Sequence, residues 1–123
     1  MTESAPGPQL EERRRVAVEK AASEARVASA RRGPEVLAIG FRCFSPGRLA
    51  VALAGVLDDE GLARLHALTR YLGRLARDEL VVDLTGFRGR SRSLLRVVSQ
   101  VRGAGRPPDA RPAGRGRIVR FVR

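Results

Sequence analysis

The chain has no tryptophan, one tyrosine and four phenylalanines, so aromatic residues make up only 4% of its 123 residues. Stacking platforms of the kind that hold unpaired bases are therefore scarce. Cys43 is the sole cysteine, which excludes an internal disulfide and fits a reducing compartment. His66 is the sole histidine and has no cysteine cluster beside it, so it reads as a surface residue, and no metal site is expected. The longest apolar run, residues 49–57, is roughly half of what a bilayer span needs. Residues 1–10 are polar and lack the apolar segment of a signal peptide. The expectation is a cytoplasmic protein with no membrane segment. No G-x-x-x-x-G-K-[ST] is present, and Gly103-Ala104-Gly105 is too short for a dinucleotide fingerprint and follows a helical pattern, so no cofactor is expected.

What the chain has in excess is arginine. The net charge is +11, and Lys20 is the only lysine among 24 basic residues. From Leu84 onward Asp109 is the only acid, against Arg88, Arg90, Arg92, Arg96, Arg102, Arg106 and five more arginines. A basic region on one side points to an acidic partner, which could be nucleic acid, an anionic membrane or an acidic protein.

The length suits one modest core with tails. Residues 10–32 hold no glycine or proline and are rich in Ala, Glu and Arg, which predicts a helix. Its apolar stripe is thin (Val16, Ala17, Ala21, Ala25, Ala28), so it needs something to pack on. Gly33-Pro34 ends it. A strand over 37–44 and the turn Ser45-Pro46-Gly47 lead into residues 49–57, whose unbroken apolar run reads as a strand buried on both faces. Cys43 is expected to be buried in the first of these strands. Asp58 or Asp59 caps the next helix, which carries Leu62, Leu65, Leu68, Leu72 and Leu75 on one face, with Arg64, Arg70, Arg74 and Arg77 largely off it. Residues 80–84 form the next strand and complete a βαβ unit. Ser91 or Ser93 opens a further helix with Leu94, Leu95, Val97, Val98 and Val101 as apolar positions, and Ile118, Val119, Phe121 and Val122 make a last short strand. The domains read as 1–33, a partly helical N-terminal extension, and 34–123, an α/β domain.

Two segments in this order have specific letters. Ala54-Gly55-Val56-Leu57-Asp58 resembles the x-G-x-L-D that closes the second strand of STAS domains, and Val81-Val82-Asp83-Leu84-Thr85-Gly86-Phe87 resembles their third strand. The resemblance implies a STAS-like mixed sheet of about four strands with two main helices on one face, plus the N-terminal helix. It also implies the role of an anti-sigma factor antagonist. That is a non-catalytic, bacterial, cytoplasmic regulator of transcription, which acts by protein–protein interaction with an anti-sigma factor or a similar acidic signalling protein. The family's phosphoacceptor motif, D-S-S/T-G-L, falls on Ser91-Arg92-Ser93-Leu94-Leu95, where only Ser93 and Leu95 match. An arginine stands where the acceptor serine belongs, so this chain resembles a member degenerate at its switch. The family adds at least one more helix after its fourth strand, whereas this sequence reads to Arg123. The N-terminal helix, or a second copy in a homodimer, would supply the missing cover.

The partner-binding residues this implies are Asp58, Arg88, Arg90, Ser91, Arg92 and Ser93. Each has a plainer reading. Asp58 serves as a helix cap, and Asp83 bonds loop backbone near the second main helix. Ser91 and Ser93 are helix caps or displaced phosphorylation sites, since flanking arginines and a helix N-terminus both favour phosphate. No set of catalytic residues is complete. The rival reading is a small basic nucleic-acid-binding protein that uses the arginine-rich C-terminal third, although no helix-turn-helix or zinc pattern accompanies it.

Overall fold

The computed structural model describes residues 8–33, 36–89, 92, 95, 96, 99 and 118–122. Helix α1 (Pro8–Arg32) is followed by strands β1 (Ala38–Ser45) and β2 (Arg48–Val56), helix α2 (Asp59–Leu75), and strands β3 (Glu79–Arg88) and β4 (Ile118–Val122). The sheet order is β1-β2-β3-β4, with β1 antiparallel to β2 and the other two pairs parallel. This is the mixed four-stranded α/β arrangement expected from the sequence. Arg92, Leu95, Arg96 and Ser99 are helical. Leu62 of α2 lines a groove with Leu95, Arg96 and Ser99, so this second helical segment lies beside α2. The remaining apolar positions expected there, Leu94, Val97, Val98 and Val101, lie outside the described residues.

The hairpin closes because Pro46 fixes one turn residue and Gly47 takes φ +76°, the pairing a type II turn requires. The Gly47 carbonyl then accepts from the backbone N–H of Asp78 (2.8 Å) and Glu79 (3.1 Å). That ties the hairpin to the start of β3 and sets Arg48 opposite Glu79 in register.

β2 explains the two-layer packing. Its apolar run alternates in size. Leu49, Val51 and Leu53 point to one face, and Ala50, Ala52 and Ala54 to the other. The large residues join Leu37, Leu65, Leu80, Val82 and Leu84 in the main core under α2. Each such leucine stabilises the fold by about 1.5–3 kcal/mol. The alanines receive α1 through Ala17, Ala21, Ala22 and Ala25. Here the backbones come close. A Cβ on Gly40 of β1 would lie 2.3 Å from the Ala21 carbonyl oxygen and 3.0 Å from the Ala25 nitrogen, so glycine is what lets α1 seat. The thin stripe of α1 thus finds a surface of matching small residues, and the N-terminal helix covers the face that α2 leaves open.

Three sequence expectations are corrected. Cys43 is exposed, because β1 is an edge strand and α2 covers β2 and β3 without reaching the far end of β1. Arg64 is half-buried and donates to the Leu37 carbonyl at 2.7 Å, so it anchors α2 over β1 and does not stay off the packed face. Leu95, expected on an apolar face, is 65% exposed.

Candidate functional site

Two places concentrate polar chemistry. The first is the edge of the sheet where the parallel strands β2 and β3 end together, with Val56 opposite Arg88. α2 starts there. Its free N–H groups are met by Asp58, whose Oδ1 accepts from the Gly61 N–H at 2.8 Å, while the Asp58 carbonyl accepts from Leu62 N–H at 2.8 Å. Asp58 is therefore the helix cap, and Asp59 and Glu60 sit in the first turn facing the dipole. Arg88 closes β3 and is exposed, and Arg92 is an exposed helical residue a few positions on. Arg90, Ser91 and Ser93 lie outside the described residues. Of the implied partner-binding set, the described members Asp58, Arg88 and Arg92 fall on the elements that meet at this one edge of the sheet.

Asp83 behaves differently from expectation. Its bonds among the described residues are local to its own strand. Its Oδ1 accepts from the N–H (2.8 Å) and the hydroxyl (2.6 Å) of Thr85 in its own strand. The reason is a bulge. Ala52 pairs with Asp83 and Ala54 with Gly86, so β3 carries one residue more than β2 across this step. The carboxylate satisfies the Thr85 backbone N–H beside the bulge and the Thr85 hydroxyl together.

The second place was not visible in the sequence. Glu79, at the start of β3, is fully buried on the alanine face. Arg14 of α1 grips it with two bonds, Nε to Oε2 at 2.7 Å and Nη2 to Oε1 at 3.0 Å. Arg48 of β2 bonds Oε1, and Arg120 of β4 approaches Oε2 at 3.3 Å. One carboxylate is thus shared by guanidiniums from three elements, and Arg14 also lies 5.6 Å from the centroid of the Phe44 ring. Burial works against the ionised form of Glu79. The hydrogen bonds and charges of Arg14 and Arg48 together outweigh it, so the carboxyl sits below the usual glutamate range. The same hydrogen bonding, which Arg14 donates to Glu79, raises Arg14 above its ordinary value. The only advance signal was an acid next to an apolar run, and nothing in its spacing names the arginines that would meet it.

Among the described residues no cluster of His, Cys, Asp and Glu is placed to hold a metal ion, and no helix is long and apolar enough to cross a membrane.

No protein-family model and no curated protein matches this chain. Among solved structures it is similar to the STAS domain of an antisigma-factor antagonist from Rhodobacter sphaeroides. Identity is 16%, the match covers 73% of this chain and 89% of that one, and the TM-score is 0.46.

Proposed function

We propose that the chain is a non-catalytic regulatory binding domain of the cytoplasm that acts by competing for a protein surface, with an anti-sigma factor or a related acidic signalling protein as its partner. The observation that carries this reading is the placement of the two motif-bearing segments. Residues 54–58 and 81–87, which resemble the STAS strand ends, run on neighbouring parallel strands and finish at one edge. There Arg88 and Arg92 are exposed, while the carboxylates of Asp58 and Asp83 are occupied with capping and bulge bonds. The exposed acids Asp59 and Glu60 stand in the first turn of α2 at the same edge, so it offers both signs, and Arg88 and Arg92 are the groups that would meet an acidic partner. Arg92 at the former acceptor position favours a contact that does not depend on phosphorylation.

The test is a cross-linking pull-down with the full chain, with and without nuclease, compared with an Arg88→Glu/Arg92→Glu variant. A protein captured by the native chain, retained after nuclease and lost from the variant supports the reading. Recovery of nucleic acid alone, with binding that falls steeply as salt rises, overturns it in favour of the nucleic-acid alternative.

A further inference from the structure

The free edge of β1 has a groove beside it that the proposed partner edge does not use. β1 is the first strand of the sheet and pairs only with β2, so along its eight residues one row of backbone N–H and C=O groups faces outward, unpaired among the described residues. α1 runs antiparallel to β1 above it, with Ala17 over Phe44 at one end and Ala21 and Ala25 over Gly40 further along. Where the outer flank of α1 meets β1 there is a groove of about 350 Å³. Val16, Ala17 and Phe44 supply its apolar lining, and Arg13, Lys20, Arg42 and the acid Glu12 its charge. A second groove, of about 410 Å³, follows along the same helix at Glu24, Val27, Ala28, Arg31 and Arg32. Helical spacing puts Arg13, Val16, Lys20, Val27 and Arg31 on this flank.

The charges along it are unbalanced. Glu24 is taken by Arg42, and Glu12 by Arg15. Arg13, Lys20, Arg31 and Arg32 have no ion-pair partner among the described residues. Val27 is 51% exposed beside them, and Phe41 is 47% exposed on the opposite face of the same strand.

We infer that the β1 edge is a docking site for an extended acidic peptide segment that adds as a fifth strand. Its backbone pairs with β1, one alternate set of side chains, the carboxylates, lies on the α1 flank against Arg13, Lys20 and Arg31, and the other set, apolar, lies on the opposite face beside Phe41. A second copy of this chain fits the edge less well, because it would bring the same uncompensated cations against themselves.

The probe is a fluorescent eight-residue Val-Glu repeat, measured by anisotropy, with a Val-Lys repeat and a proline-interrupted Val-Glu peptide as controls. Amide hydrogen exchange follows residues 38–45. The proposal expects saturable binding of the Val-Glu repeat alone, slowed exchange in β1, and about a ten-fold loss of affinity in Arg13→Glu/Lys20→Glu. Both substitutions are at exposed positions, and a thermal melt checks that the variant folds. Four results overturn the proposal. They are no saturable binding, equal binding of the proline-interrupted peptide, protection confined to other strands, and a free chain that sediments as a dimer with β1 already protected. None of these bears on the Arg88/Arg92 edge, so this inference and the proposed function fail separately.

Discussion

The two faces of the sheet solve the same packing problem in opposite ways. Under α2 the sheet presents Leu49, Val51, Leu53, Leu80 and Val82, and Leu65 and Leu68 fill the space between. Under α1 it presents Ala50, Ala52, Ala54 and Gly40, and the helix comes down until backbone nearly touches backbone. The leucine face is held by buried volume. The alanine face buries little area per residue, so closeness and charge must contribute what volume does not. Both acids buried among the described residues, Glu79 and Asp83, lie on that second face, since they alternate with Leu80, Val82 and Leu84 along β3. A helix with almost no hydrophobic side chain larger than valine can therefore still be a fixed part of a fold, provided its seat is cut to the same size.

The contrast implies that the faces fail for opposite reasons: one when atoms are removed, the other when they are added. The largest effect is expected from Leu53→Ala on the leucine face, a loss of about 2–5 kcal/mol in urea unfolding with the denaturant slope unchanged. Glu79→Ala should follow at about 2–3 kcal/mol near neutral pH, because it leaves Arg14 and Arg48 facing each other without their shared anion. This site also predicts a pH dependence. The folded carboxyl is held below the ordinary value of about 4.3, so its contribution is complete above that value and is lost as pH falls through the lower folded one. Glu79→Gln should flatten that acid limb of the stability curve. An unchanged acid limb would show that the arginines do not hold the charge.

Ala52→Leu sharpens the comparison from the other side. Added bulk on the alanine face should cost about 1–3 kcal/mol and lift α1, which is read as faster amide exchange over residues 17–25. If Ala52→Leu proves neutral while Leu53→Ala does not, the close seat of α1 is wrong. The smallest effect is expected from Asp58→Ala, about 1 kcal/mol from the lost cap of α2, with α1 unaffected. A variant whose exchange quickened in α1 as well as in α2 would show that the two layers are coupled and do not stand independently on the sheet.

Much of this was legible from the residues. Element order, the leucine face of α2, the Pro46-Gly47 turn and the Asp58 cap follow from periodicity and local chemistry, which act within a few positions. β3 is longer than its apolar letters suggest, because Thr85, Gly86 and Phe87 continue the ladder past a bulge that only pairing with β2 reveals. The alternation of leucine and alanine in β2 was on the page but reads as one unbroken run unless size is weighed along with polarity. Cys43 was misjudged because burial at an edge depends on which neighbour lies beyond, and spacing does not carry that information. The cage around Glu79 is invisible for a similar reason: its hydrogen-bonding members Arg14 and Arg48 lie 65 and 31 residues from the acid they share.

That first separation has a consequence for the order of assembly. Arg14 is synthesised before its partner, and the carboxylate that it grips emerges 65 residues later. Until then α1 can rest on the completed hairpin, with its guanidinium still in water and no counter-charge to close against. Closing so wide a loop is entropically costly for a single contact, so the hairpin must do the bringing together first. Helix α1 would thus be among the last parts of the fold to lock, and a pause in translation just before Glu79 would hold the nascent chain with α1 laid down but unfastened.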